Sequence, residues 1–117
     1  MLETRFPRVP GDVGNPESFA FPVRFKVVDG ASPQAVVRER AAGLLEPFVA
    51  AGRALADEGC IGITTTCGFL VLFQAQLAQR LPVPVMTSSL LQLSGVQKTL
   101  APGRRVGVVT IDAHSLG

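Results

Sequence analysis

The pattern of apolar and polar positions predicts strands that alternate with helices in the second half of the chain. Short apolar runs rich in β-branched residues are each followed by apolar residues at helical spacing. This alternation is typical of βαβ units with parallel strands and right-handed crossovers. The predicted fold class is therefore α/β, a three-layer parallel sheet with flanking helices. The predicted strands are 61–65, 83–86 and 105–110, and the predicted helices are 69–80, 89–100 and one opening at Asp112.

The first half of the chain predicts one more strand and two helical segments. Residues 21–28 are rich in Val and Phe and partly alternate, which suits a strand. Ser32 is expected to cap a helix in which Pro33 takes the first position. Pro47 should break or restart that helix, and Gly59 should end the second segment as a carboxyl cap.

Residues 1–20 are predicted to be a loop segment. Between Arg5 and Pro16 the sequence contains three prolines and two glycines, which excludes a central strand or helix. A loop of this length in a small domain is usually functional or disordered. Arg5 and Asp12 are therefore candidate ligand contacts, and an untethered leader is the alternative that the composition leaves open.

The chain of 117 residues supports one domain with a modest core. Only Met1 and Leu2 precede the proline-rich part of the loop and its first polar residues. The predicted division is the loop segment 1–20 and a single α/β lobe over 21–117.

Charge and hydropathy exclude several classes of partner. The net charge is +2 and the eleven Lys and Arg are scattered, so no basic stripe indicates nucleic-acid binding. No apolar run reaches the roughly 18 residues of a membrane helix, and the amino terminus lacks the layout of a secretion signal. We therefore expect a cytoplasmic protein without a nucleic-acid or membrane partner.

The segment from Ile61 to Leu70 carries the clearest sign of chemistry. A β-branched run ends in three threonines, Cys67 and Gly68, and a helical pattern begins at Phe69. Ligands collect at such strand-to-helix turns in open α/β sheets, and free N–H groups at a helix start favour a thiolate. Cys67 is therefore a candidate catalytic residue with a lowered thiol pKa. The alternative is a helix-start residue that only packs.

Hydroxyl groups follow the predicted strands, and parallel strands would bring these turns to one edge of the sheet. Neutral donors and helix starts at that edge suit a small carboxylate. Because Ser, Thr and Asp are also the preferred helix caps, capping stays open for the second and third turns. The candidate substrate-binding residues at these turns are Thr65, Thr66, Gly68, Thr87 and Ser88, and the third turn is Thr110–Asp112.

Other chemistries lack support in the sequence. No glycine-rich nucleotide motif follows a strand, so no cofactor is expected. One histidine and two separated cysteines do not have the spacing of a zinc site, so no metal is expected. Cys60 suits a small packing residue. His114 is a candidate base for Cys67, and an incidental histidine at a helix start is the alternative.

Four strings of the sequence carry a resemblance to a known family: Arg5–Pro16, Gly62–Leu70, Pro84–Leu90 and Arg105–Thr110. Through them the chain resembles the amino-terminal half of the aspartate/glutamate/hydantoin racemase family. The resemblance implies two similar α/β lobes with the active site between them, of which this chain matches the first. It also implies cofactor-independent racemisation of a small carboxylate or hydantoin, with one cysteine from each lobe acting as acid or base at the α-carbon. Cys67 matches the first-lobe thiol.

The resemblance implies a hydrophobic first strand before the loop, for which Met1 and Leu2 are too few residues, so we expect a clipped first strand. It also implies a second lobe that this chain does not contain. We therefore expect a fragment or a shortened product, inactive or weakly active alone, whose exposed apolar surface favours a homo-oligomer. Two alternatives remain. One is a one-cysteine decarboxylase or isomerase of the same superfamily, and the other is a non-catalytic module that binds small carboxylates.

Overall fold

The structure is a computed structural model that describes residues 1–37, 43–110 and 113–114. The described part consists mainly of helices and irregular segments. Helix α1 spans Pro33–Val37, α2 spans Leu45–Asp57, α3 spans Gln74–Arg80 and α4 spans Leu93–Thr99, and the strands are β1 (Ile63–Thr64) and β2 (Val85–Met86). Three 3-10 helices span Pro16–Ser18, Gly68–Phe73 and Ser89–Gln92, and the last two lead directly into α3 and α4.

The sheet of the described residues has two short strands, so the prediction of a three-layer parallel sheet is wrong. Strands β1 and β2 run parallel, with Ile63 opposite Val85 and Thr64 opposite Met86. The parallel direction of this pair agrees with the sequence pattern. The extent of the sheet does not, because two further predicted strands form no ladder.

Residues 105–110 are predicted to form a strand but have irregular structure. The backbone at the start of this segment is bound by a side chain of helix α4, where the prediction requires a neighbouring strand. The Gln97 side chain on α4 donates to the Arg104 carbonyl oxygen at 2.8 Å and accepts from the Val106 N–H at 3.0 Å. Val109 is fully exposed. An apolar run becomes a strand only where a partner supplies the ladder hydrogen bonds. The helix predicted to open at Asp112 lies outside the described residues.

The predicted strand 21–28 is also irregular, although its end is hydrogen-bonded. The Met1 amino group donates to the Lys26 carbonyl oxygen at 2.6 Å, and the Val28 N–H donates to the Met1 carbonyl oxygen at 3.0 Å. Burial, and to a lesser degree Arg8, lowers the pKa of this amino group. The segment is thus held by the first residues of the chain.

The helix boundaries in the first half confirm the capping predictions. Helix α1 begins at Pro33, and the Ala35 N–H donates to the Ser32 hydroxyl at 3.2 Å. Pro47 lies in the first turn of α2, where its missing N–H costs no helical hydrogen bond. Gly59 follows the helix with a φ of 88°, the left-handed conformation that favours glycine. No helix of the described residues is long and apolar enough to cross a bilayer.

The core lies between the helices and the sheet. It includes Leu70 of the 3-10 helix after β1, and this contact fixes the start of that helical segment. Leu70 and Val36 are each 1% exposed, and burying such side chains contributes about 1.5–3 kcal/mol each. A Cβ atom at Gly52 would lie 2.6 Å from Leu81 Cδ1, so glycine allows the close approach of α2 to this leucine. The remaining buried apolar residues are Leu2, Val28, Ala31, Phe48, Val49, Phe69 and Leu77.

Candidate active site

A cleft of about 360 Å³ lies at the carboxyl ends of β1 and β2. The turns after both strands line it, which confirms that the first two predicted turns meet at one edge. Ile111 and Asp112 of the third predicted turn lie outside the described residues. The lining residues are Val13, Thr64, Thr65, Thr66, Cys67, Gly68, Met86, Ser88, Ser89 and Gln92.

Cys67 is half-buried and lies directly before the 3-10 helix that begins at Gly68. Burial raises the pKa of its thiol above the ordinary value, and hydrogen bonds from the Phe69 and Leu70 N–H groups offset this only in part. The predicted lowering of this pKa is therefore wrong. Desolvation of the thiolate outweighs the two N–H donors of a short helix start.

Thr87 is fully buried and does not line the cleft. Its N–H and its Oγ1 hydroxyl both donate to Gln74 Oε1 at 2.9 Å. Its carbonyl oxygen accepts from Thr65 Oγ1 at 2.6 Å. Thr87 therefore supports the turn that contains Cys67 and is separated from the cleft itself.

Thr66, Gly68 and Ser88 lie in the cleft wall. Thr66 Oγ1 is a buried hydroxyl without a hydrogen-bond partner in the described part of the chain, which is an unusual state for such a group. Ser88 Oγ accepts from the Leu90 N–H at 3.1 Å, so this residue caps a helix and lines the cleft at the same time. A Cβ atom at Gly68 would lie 3.5 Å from Ser88 Oγ, which shows how closely the two turns approach.

Arg5 and Asp12, predicted as ligand contacts, do not line the cleft. Arg5 is exposed. Asp12 organises its own loop: its carboxylate accepts from the Gly14 N–H at 2.6 Å and from Arg8 Nη1 at 2.9 Å. The Gly14 hydrogen bond, followed by that of Arg8, lowers the pKa of this carboxyl. The ordered loop brings Val13 to the cleft.

Sequence reasoning missed several lining residues and Gln74. The sequence signal for Gln74 is a polar side chain that directly follows the apolar stretch 68–73 inside a predicted helix. Cys60 is half-buried and His114 is exposed, and neither lines the cleft. No group of three metal-ligating side chains occurs within 1–37, 43–110 and 113–114.

The relatives of this chain are enzymes of the lyase class. The chain is 33% identical over 116 residues to dimethylsulfoniopropionate lyase 3 of Emiliania huxleyi strain CCMP1516, which is 98% of this chain and 30% of that protein. It is 29% identical over 118 residues to dimethylsulfoniopropionate lyase of Durusdinium sp. clade D, which is 99% of this chain and 39% of that protein. The chain thus spans between 30% and 39% of the length of these curated relatives. No family model and no solved structure matches it.

These relatives overturn the racemase interpretation. Proteins similar over nearly the whole chain are named lyases, and nothing points to a racemase family. The expected racemase or isomerase activity is therefore wrong, and the alternative of a one-cysteine decarboxylase or isomerase is not supported either. The error arose because a cysteine in a threonine-rich turn after a strand describes a local geometry, which several reactions at a carboxylate substrate can share.

Proposed function

We propose that the protein is a lyase that acts on dimethylsulfoniopropionate, with Cys67 as the base. The similarity to named dimethylsulfoniopropionate lyases over 98% of the chain supports this substrate. The observation that carries the role of Cys67 is its position in the wall of the cleft at the carboxyl ends of both strands. The relatives are much longer than this chain, so their activity is proposed for it and has to be tested on the chain itself.

The reaction is an elimination that a single base can initiate. The Cys67 thiolate removes a proton from the carbon next to the substrate carboxylate. The electron pair of that C–H bond forms the carbon–carbon double bond, and the bond from the neighbouring carbon to the sulfonium sulfur breaks. The products are dimethyl sulfide, which takes the electrons of the broken bond, and acrylate. The proton is held on Cys67 until it returns to water.

The lining of the cleft suits the charge of this substrate. Dimethylsulfoniopropionate carries one carboxylate and one sulfonium cation, so its net charge is zero. None of the cleft-lining residues that the structure describes is charged, and a neutral cleft demands no counter-ion for a neutral zwitterion. The hydroxyl of Ser89, an exposed residue of the cleft wall, is a donor for the carboxylate, and Met86 and Val13 offer apolar contact to the sulfonium methyl groups.

The substrate carries a positive charge that favours ionisation of the Cys67 thiol. Burial keeps Cys67 protonated at neutral pH because it raises the thiol pKa. A cation within about 4–6 Å favours the charged form of a neighbouring acid. Binding of the sulfonium group beside the sulfur would therefore lower the thiol pKa and favour the base in the substrate complex.

The proposal is tested by incubating the chain with dimethylsulfoniopropionate and measuring dimethyl sulfide in the headspace and acrylate by proton NMR. Cys67→Ser should abolish both products, and the matched variant Cys60→Ser should retain them. Protection of Cys67 from iodoacetamide by the substrate is a second readout that requires binding alone. Absence of both product formation and protection in the unmodified chain contradicts the proposal.

A further inference from the structure

We infer that Gln74 is a positioning residue that holds the Cys67 turn against the end of β2. The inference deepens the proposed function, from which it takes only the choice of Cys67 as the reacting group. Gln74 itself does not line the cleft. It acts through Thr87 and Thr65, which connect the first residue of α3 to the turn before the cysteine.

The connection consists of consecutive hydrogen bonds from α3 to the turn. Gln74 Oε1 accepts from both the N–H and the hydroxyl of Thr87, each at 2.9 Å. The Thr87 carbonyl oxygen accepts from Thr65 Oγ1 at 2.6 Å. Thr65 Oγ1 also lies 3.2 Å from the Cys67 carbonyl oxygen, and its single proton favours the shorter contact to Thr87.

The amide of Gln74 is suited to this place because it has an acceptor and donors on one group. While Oε1 holds Thr87, Nε2 donates to the Val85 carbonyl oxygen at 2.9 Å, so one side chain fixes β2 and the residue after it. A carboxylate at this position would lose the donor to Val85. A methionine would fill the same volume and lose all three hydrogen bonds.

These hydrogen bonds help to determine how deeply the Cys67 sulfur is buried. The turn is held down on both sides, by the core contact of Leu70 and by the Thr65–Thr87 hydrogen bond. Release of the second attachment admits water to the thiol. Because desolvation is the main cause of the raised pKa, the thiol of a released turn ionises at lower pH.

The test measures the rate of Cys67 alkylation by iodoacetamide against pH, with the modified cysteine identified by peptide mapping. We expect Gln74→Met to move the midpoint of the profile down by about one pH unit, which is a tenfold faster reaction below the midpoint. Gln76→Met is the matched control, because Gln76 is exposed on the same helix, and it should keep the original midpoint. Circular dichroism establishes that each variant is folded.

Thr87 provides an independent pair of variants. Thr87→Val removes the hydroxyl hydrogen bond to Gln74 and should shift the midpoint in the same direction, and Thr87→Ser should restore it. Unchanged midpoints in folded Gln74→Met and Thr87→Val chains overturn the inference. Loss of folding in both also overturns it, because the contacts would then support the fold as a whole. Alkylation needs no substrate, so the midpoints of these variants test the inference even where the unmodified chain shows neither product formation nor substrate protection, the outcome that contradicts the proposed function.

Discussion

Thr65 Oγ1 donates to the carbonyl oxygen of Thr87 at 2.6 Å, which joins the turn after β1 to the turn after β2. The two residues are 22 positions apart in the chain. Both cleft walls are therefore tied together beside Cys67, and the shape of the cleft depends on a contact that neither turn could make alone.

Thr65→Val should lower the free energy of unfolding by about 1–3 kcal/mol, because it leaves the buried Thr87 carbonyl oxygen without its side-chain donor. Urea unfolding followed by circular dichroism measures the change. Thr64→Val is the matched control, since the Thr64 hydroxyl donates to the Met86 carbonyl oxygen at an exposed position. Equal losses for the two variants would contradict this prediction.

Leu70→Ala should lower the free energy of unfolding by about 2–5 kcal/mol, because Leu70 is 1% exposed and its removal leaves a cavity in the core. The same urea titration checks the value. Leu72→Ala lies in the same 3-10 helix at a position that is 38% exposed, and it should cost clearly less. A larger loss at Leu72 than at Leu70 would contradict the assignment of Leu70 to the core.

The proposed lyase activity should increase with pH from neutrality into the alkaline range. Cys67 must be deprotonated to act as a base, and burial raises its pKa above the ordinary thiol value. The kcat/KM for dimethylsulfoniopropionate, measured against pH, reports this ionisation in the free protein. A profile that is flat or falls across the same range would exclude a buried thiol as the base.

The Asp12 loop should loosen in acid. Hydrogen bonds from Gly14 and Arg8 hold the pKa of the Asp12 carboxyl below its ordinary value, so its contribution to the order of the loop is complete above that ordinary value. The contribution is lost as the pH falls through the lowered pKa of the folded protein. The Gly14 amide resonance in NMR should titrate there.

Asp12→Asn should abolish this titration, and Asp57→Asn, at an exposed position of α2, should leave it unchanged. A Gly14 amide that titrates identically in the Asp12→Asn chain would show that another group controls the loop.

The helix ends could be predicted from the sequence because their causes are local. Ser32 and Pro33 determine the start of α1, and the capping hydrogen bond of Ser32 reaches only three residues along the chain, to Ala35. Gly59 follows the end of α2 through its own backbone conformation. The turn that contains Cys67 was found for the same reason. A strand followed by hydroxyls and a helical pattern is a contiguous signal.

The sheet and the electrostatics of the site depend on partners distant in sequence. Whether residues 105–110 form a strand depends on what lies beside them, and there the side chain of Gln97 binds the Val106 N–H and the carbonyl oxygen of the preceding Arg104. The direction of the Cys67 pKa shift depends on how deeply the fold buries the sulfur, which the motif does not contain. Gln74 was missed because its role exists only through Thr87.

The uncharged lining of the cleft within the described residues has a consequence for the conditions in which it works. Mobile ions screen interactions between exposed charges over a Debye length of about 8 Å at physiological ionic strength, and they have little effect on hydroxyl donors and apolar contacts. Under the proposed function, the cleft should therefore bind its zwitterionic substrate almost equally well in dilute buffer and in brine.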